Sequence, residues 1–440
     1  MEGDARQRLV RALASVDLEQ IEDLRRLVLE PGPTVVASRF EPPELFPLER
    51  NAEQEARAER AIERGNDLFR TGQVAFVLVA GGQASRLGFD GPKGNFPVGP
   101  VTGRTLFHLH ARRLLRVAAL GGPQPAWYVM TSAANDLATR DAFEAEDHFG
   151  FEPENVFFFQ QEMLPALDGE GRILFQAPDQ PFLAPNGHGG VLWALRTSGA
   201  LADMRRRGLT QLAYFQVDNP LVRPVDPLFL GLHAEAGAEM SSKVVEKVDP
   251  DEKVGVLGRA DGVLGCIEYS DLPAELREAR DPNGKLRFRA GNIAVHVLTV
   301  DFVERLTANG LDLPWHVANK EMTTVAPGGE AQVTAGHKFE TFVFDALGRA
   351  ERSVTLEVDR ALEFSPVKNR EGSDSPATAK RDMCQLYADW ARGRDIELPP
   401  ADGAGDVRVE VDPLLAETRE EFLTVDEVQL DEHDGGLFLG

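Results

Sequence analysis

The run Val74-Ala-Phe-Val-Leu-Val-Ala80 ends in Gly81-Gly82, and Arg86 and Lys93 follow a little farther on. A short, apolar, β-rich run of this kind reads as a buried strand, and a glycine turn at its end leaves backbone N–H groups free to face an anion. A Cβ at Gly81 or Gly82 would hold the backbone away from such a ligand. Arg86 can fork onto phosphate oxygens and Lys93 can place a point charge beside them. The segment therefore reads as a nucleotide-handling loop, with a plain glycine turn bearing surface charge as the alternative. It is not a P-loop, because Lys93 lies between Pro92 and Gly94 and no hydroxyl follows it. Nor is it the dinucleotide fingerprint, which separates its glycines.

A chain of 440 residues has room for two or three domains and a sizeable core. Its formal net charge of −24 opposes binding to nucleic acid or an anionic membrane, so the positive charge a polyanionic ligand needs must be gathered locally. Cys266 and Cys384 lack metal-ligand spacing and read as buried small hydrophobes in a reducing compartment. The start, Met1-Glu-Gly-Asp-Ala-Arg6, has no signal-like apolar stretch, and no run reaches transmembrane length. A cytoplasmic protein is expected.

The pattern predicts an N-terminal helical arm over residues 1–70, a catalytic domain over 71–390 and a small C-terminal β appendage over 391–440. In the arm, Asp17 and Gln20 suit a capping box, Val16 and Ile21 a hydrophobic staple, and Leu24, Leu27 and Val28 an apolar stripe that ends at Pro31-Gly-Pro33. A charged helix is expected over 51–68. Strands are expected at 126–131, 156–160, 212–217 and 293–298, with helices near 105–120, 136–149 and 191–206 each preceding one of the first three. This alternation predicts an α/β fold with a doubly wound, mostly parallel sheet. Between Lys243 and Arg289, turn signals at Asp249-Pro250, Asp261-Gly262 and Asp281-Pro-Asn-Gly284 suggest antiparallel hairpins inserted on the substrate side. A last short strand is expected at 407–411.

Ligands of open α/β sheets bind where strands end, and several segments fall there. Gln160-Gln-Glu-Met163 follows one strand. Pro185-Asn-Gly-His-Gly-Gly190 opens a helix, so Gly187, Gly189 and Gly190 can bring backbone donors toward a ring or phosphate. Val217-Asp-Asn219 ends a buried strand, and the lone carboxylate of Asp218 suits a hard cation such as Mg²⁺, or a simple turn cap. Ser365-Pro-Val-Lys-Asn369 sets Lys368 in a rigid turn, and His188 suits either a ligand contact or a loop brace.

The ordered set Ala80-Gly-Gly-Gln83, Arg86-Leu-Gly88, Pro92-Lys-Gly94, Trp127-Tyr-Val-Met-Thr131, Gly187-His-Gly-Gly190 and Val217-Asp-Asn219 resembles the eukaryotic-type UTP-dependent sugar-1-phosphate uridylyltransferases. Lys243-Val-Val-Glu-Lys247, Ile267-Glu-Tyr-Ser270, Ala290-Gly-Asn-Ile-Ala294 and Phe364-Ser-Pro-Val-Lys-Asn369 extend the likeness, which covers roughly residues 70–390 and leans to the UDP-N-acetylhexosamine pyrophosphorylase branch. The resemblance implies a Rossmann-like, nucleotidyltransferase-type sheet. It assigns Gly81, Gly82, Gln83, Arg86 and Lys93 to the UTP phosphates and Gln161 and Gly187 to the uracil. His188, Gly255, Glu268 and Asn292 match positions around the sugar, Asp218 matches a Mg²⁺ ligand, and Lys368 a lysine near the phosphates.

Two departures stand out. Ala84 and Ser85 replace the usual Gly-Thr of the loop, and Ala84 adds a methyl where a close backbone approach or a positive φ is wanted. His188 stands where the acetylhexosamine branch has Asn, and it favours a glucose or broad-specificity enzyme. The substrates implied are UTP and a sugar 1-phosphate, N-acetylglucosamine 1-phosphate first. A UDP-sugar-binding protein without turnover is the alternative from another class. No Ser/His/Asp or paired-carboxylate arrangement is apparent, and the reaction needs none, because the attacking phosphate has a second pKa of about 6.

Overall fold

The computed structural model describes residues 6, 7, 9, 10, 18–30, 39–269, 271–326, 329–401, 403 and 405–440. The chain groups into two compact units. The first holds Arg39–Gln160, Leu195–Arg305 and Leu347–Gly440, and the second Met1–Ser38, Gln161–Ala194 and Leu306–Ala346.

Among the described residues of the first unit, ten strands form one mixed sheet. They are β1 Phe40–Glu41, β2 Val74–Val79, β3 Ala126–Thr131, β4 Val156–Gln160, β5 Gln211–Gln216, β6 Met240–Glu246, β7 Val256–Ala260, β8 Val263–Ile267, β9 Ala290–Thr299 and β10 Thr355–Val358. The middle of the sheet is parallel, in the order β5-β2-β3-β4. Every residue of β3 is buried, as is all of β2 but Val79, which is why both read as continuous apolar runs rather than alternating ones. Val79 lies opposite both Met130 and Gln216, and Thr131 opposite Gln160, so these strands end level along one edge.

Helices fill the crossovers. Thr105 caps the helix Leu106–Leu115, and Asn51 makes a capping box with Gln54 at the start of Ala52–Arg70. The expected helix over 191–206 is two helices, Gly190–Thr197 and Ala200–Arg206, broken where Gly199 turns left-handed at φ +84°. Ala52–Arg70 crosses Pro227–Glu235 at backbone contact: a Cβ on Gly231 would fall 1.7 Å from the Ala61 carbonyl oxygen, so only glycine permits the approach.

The hairpin expected around Asp261-Gly262 is present as β7 and β8, but it extends the central sheet. Val256 of β7 pairs with Gly291 of β9, and β9 runs antiparallel to β5 and β6. The C-terminal sheet combines Val409–Val411, Gly436–Leu439 and Leu430–His433. Its Val409, Val411, Leu437 and Leu439 belong to the main core of this unit.

The second unit contains the helix Leu18–Leu29, two short antiparallel pairs, and the hairpin His316–Val325 with Ala331–Glu340. The stripe expected on the helix is present: Leu24 is fully buried with Leu164, Leu167 and Phe339, and Leu27 and Val28 pack against them. The expected cap at Asp17, the staple at Val16, the stop at Pro31-Gly-Pro33 and the last residue of the Ser270 motif lie outside the described residues.

Charge fastens the C-terminal segment to the first unit. Asp412, 3 % exposed, accepts hydrogen bonds from Arg112 Nε at 2.9 Å and Nη2 at 2.6 Å, and from Arg104 Nη1 at 2.8 Å. Burial alone would raise the Asp412 carboxyl, but the bonds from Arg112, the Leu414 N–H and Arg104 hold its pKa below the usual carboxylate range. A depressed carboxyl contributes stability that is present above its unfolded pKa of about 3.9 and is lost as the pH falls through the lower folded value. Asp412→Asn should therefore destabilise the protein at neutral pH by up to about 3 kcal/mol, the low end for breaking a buried pair. Denaturant unfolding at pH 7 should show a lowered midpoint, with the gap between variant and parent closing as both are acidified. An unchanged midpoint at pH 7 would remove this role from Asp412.

Candidate active site

The loop after β2 is shaped by its carbonyls. Ser132 Oγ donates to the Gly81 carbonyl at 2.8 Å, Asn135 Nδ2 to those of Ala80 at 2.8 Å and Gly82 at 3.3 Å, and Gln83 Nε2 to Ala134 O at 3.0 Å. The loop closes on itself through Lys93 N–H to Gly82 O and Ala84 N–H to Gly91 O. With the carbonyls engaged, the N–H groups of Gly81, Gly82 and Gln83 have no hydrogen bond to the described residues, and Gly82 and Gln83 are exposed. A Cβ on Gly82 would meet nothing within 4 Å, so the fold itself does not require glycine there. What the missing Cβ leaves open is the space in front of the free donors.

Ala84 sits at φ −89° and is buried, so its methyl is accommodated; the positive φ expected near it falls on Gly88, at +73°. Between them the turn Ser85–Leu87 presents Arg86, exposed and without an ion pair or hydrogen bond among the described residues.

At the end of β5, Asp218 Oδ2 accepts from Lys93 Nζ at 3.3 Å, with both side chains about one-sixth exposed. Its backbone carbonyl accepts from Val367 N–H at 2.8 Å. The Asn219 amide donates to Glu363 O at 2.7 Å and accepts from Ser365 N–H at 3.1 Å, which fixes the turn carrying Lys368. From behind, the fully buried His110 donates Nε2–H to Val217 O at 2.9 Å, and burial pushes its pKa down to about 4, so it is neutral. Asp218, Asn219, Asn292, Ala294, Phe364 and Lys368 line one small pocket. Asp218 Oδ1 has no hydrogen-bond partner among the described residues. A Mg²⁺ ion takes one or two carboxylates and completes its shell with water and phosphate oxygens, so this single carboxylate fits such an ion. The described residues contain no cluster of three or more candidate ligands.

Gly255, Glu268 and Asn292 come together across β7, β8 and β9. Asn292 N–H donates to Gly255 O at 2.9 Å, and its side-chain Nδ2 lies 3.8 Å from Cys266 Sγ. A Cβ on Gly255 would fall 2.6 Å from that sulfur and 3.3 Å from Glu268 Oε1. Cys266, expected to be buried, is partly exposed because it faces this cluster; Cys384 is buried as expected. Ala294, at φ +55°, donates its N–H to Asn292 Oδ1 at 3.0 Å and so orients the amide. Left-handed backbone at a non-glycine residue is a cost that sites often carry. Nothing in the sequence marks Ala294, Cys266 or His110 for these positions.

Gln161, Gly187 and His188 belong to the second unit. Gly187, at φ +79°, and Gly189 are required by packing, since their Cβ atoms would fall 2.4 Å from Thr341 O and 2.7 Å from the Phe342 backbone. Contrary to expectation, the N–H groups of Gly189 and Gly190 are committed within the protein, to Thr341 O and Gly187 O. His188 braces this loop: Nδ1 accepts from Val343 N–H at 3.2 Å and the ring stacks on Phe342, 5.2 Å between centroids. Burial pushes its pKa down to about 4, so it is neutral, with its proton on Nε2.

The family profile of UTP–glucose-1-phosphate uridylyltransferase matches residues 44–385. UDP-N-acetylglucosamine diphosphorylase 1 of Arabidopsis thaliana is 35% identical over 433 residues, 94% of this chain and 84% of its own. The UDP-N-acetylglucosamine pyrophosphorylase of Saccharomyces cerevisiae is 36% identical over 332 residues, 72% of this chain and 70% of its own. A crystal structure of the Trypanosoma brucei uridine diphosphate N-acetylglucosamine pyrophosphorylase in complex with an inhibitor superimposes with a TM-score of 0.82 at 28% identity, covering 96% of this chain and 89% of that one. The chain therefore belongs to the UTP–glucose-1-phosphate uridylyltransferase family and is an enzyme of that class.

Proposed function

We propose that this enzyme transfers the uridylyl group of UTP to N-acetylglucosamine 1-phosphate in the cytoplasm. The observation that carries the reading is the glycine loop, where unbonded N–H groups of Gly81–Gln83 and the unpaired Arg86 face outward at the end of β2. The names of the relatives favour the N-acetylated sugar. A phosphate oxygen of the sugar 1-phosphate bonds to the α-phosphorus of UTP. The bond from that phosphorus to the α–β bridging oxygen breaks, and pyrophosphate leaves with the electron pair. The nucleophile arrives ionised, so the protein's task is to align two anions and offset their charge.

The fixed N–H donors and Arg86 are assigned to the phosphates, and Lys93 and Lys368 to the charge that develops on them. Asp218 would hold a Mg²⁺ ion, which would supply further positive charge to the phosphates. Gly255, Glu268 and Asn292 are assigned to the sugar, and the resemblance alone assigns His188 to it. The resemblance alone assigns Gln161 and Gly187 to the uracil.

Asp218→Ala should lower turnover by about 10²-fold or more, as removal of a preorganised charge does, while UTP still binds measurably by calorimetry. Near-normal turnover in that variant would refute the assignment. For Arg86→Ala, kcat should fall by about 10²-fold. A rise in KM with kcat intact would instead make Arg86 a uniform binding contact. The sugar is tested by kcat/KM for N-acetylglucosamine 1-phosphate against glucose 1-phosphate, where a site bonding one substituent can discriminate by up to about 10⁴-fold. A preference for glucose 1-phosphate would overturn the choice, and its reversal in His188→Asn would locate the cause.

A further inference from the structure

The turn that carries Lys368 holds a second cation, Arg370, which the reaction as described leaves unused. Its base is rigid: the N–H groups of Lys368 and Asn369 both donate to Asp374 O, at 2.7 and 2.9 Å, and Asn369 Nδ2 donates to Ser373 O at 2.9 Å. Arg370 stands on the exposed tip, and its guanidinium reaches the glycine loop. A Cβ built on Gly88 would lie 3.6 Å from both Cζ and Nη1 of Arg370. Gly88 is the left-handed cap of the turn that presents Arg86.

Arg370 has no ion pair or hydrogen bond among the described residues, and neither Arg86 nor Lys368 has an ion pair. Three unpaired cations thus sit on two touching loops in a chain with 71 acidic residues against 47 lysines and arginines. Such an arrangement repels itself until an anion lies against it. The inner cation, Lys93, is shielded and already faces Asp218, whereas Gly88, Arg86 and Arg370 form the exposed end of the loop.

We propose that Arg370 binds the β- and γ-phosphates of UTP, and hence the leaving pyrophosphate, bridging the Lys368 turn to the glycine loop. The inference rests on the uridylyltransferase reading above. It predicts a contact made to pyrophosphate and to UTP but not to the UDP-sugar product, whose second phosphorus comes from the sugar 1-phosphate and enters on the side opposite the leaving pyrophosphate.

Equilibrium binding of pyrophosphate, UTP and UDP-N-acetylglucosamine to the parent, Arg370→Ala and Arg370→Lys separates the possibilities. In Arg370→Ala, Kd for pyrophosphate and UTP should rise ~10-fold, which corresponds to 1.4 kcal/mol, while Kd for the UDP-sugar moves less than about twofold. Arg370→Lys should recover part of the loss, because it keeps the charge but not the two-pronged geometry. Unchanged pyrophosphate affinity in Arg370→Ala, with the parent binding normally, overturns the role of Arg370 alone. An equal loss for all three ligands overturns it too, by pointing to a collapsed loop. A parent that binds neither UTP nor pyrophosphate overturns the uridylyltransferase reading itself.

Discussion

Three consecutive residues at the end of β5, Val217-Asp218-Asn219, hold the catalytic half of the first unit in register. Each uses its main chain or side chain to fix a different element: Val217 O accepts a hydrogen bond from His110 Nε2–H, Asp218 faces Lys93 and ties Val367, and Asn219 binds Glu363 O and Ser365 N–H. Beneath them lies a buried ion cluster. Lys243, fully inaccessible, donates to Glu363 Oε2 at 2.6 Å and to Arg223 O at 3.2 Å, and pairs with Asp226 Oδ2 at 2.6 Å. Burial would raise the Asp226 carboxyl, but the Lys243 and Arg223 charges hold it low. Removing one partner from such a cluster leaves an uncompensated buried charge, which is far costlier than the cluster itself. Lys243 therefore acts on the site through architecture, by fixing Glu363 and with it the turn that carries Lys368.

Much of this site was legible because its signals are local. A buried parallel strand must be apolar on both faces, so β2 and β3 announce themselves, and a carboxylate straight after such a strand stands out. Other features depend on partners distant in sequence. Gly187 and Gly189 look like anion-loop glycines, yet each is required by the close approach of Thr341 and Phe342. Gly82 is the opposite case, a glycine with open space where its Cβ would be. Both loops are glycine-rich in sequence; only the tertiary neighbours separate a packing glycine from one that leaves room for a ligand. The positions of Ala294, Cys266 and His110 were illegible for the same reason.

Charge tells a similar story. An acidic chain could satisfy every arginine with a carboxylate, and many are so satisfied: Arg104 and Arg112 on Asp412, Arg113 on Glu417, Arg205 on Glu304. These pairs order the C-terminal segment and the helices. Against that background, a cation left without a counterion is the informative one, and Arg86, Lys368 and Arg370 are grouped on two adjoining loops. The net charge of −24 then works in the site's favour, because it keeps non-specific polyanions away while local cations accept a small one.

The histidines complete the chemical argument. A general base at neutral pH needs a pKa near 7 and access to the proton it removes. His110 and His188 are both pushed down to about 4 by burial, and each spends a ring nitrogen on the backbone, of Val217 and Val343. They are neutral struts. A sugar 1-phosphate, with its second ionisation near pH 6, brings its own negative charge and needs no such base. What phosphate attacking phosphate asks of a site is fixed donors, unpaired cations and a carboxylate at a strand's end, because the proton is already gone before the substrate arrives.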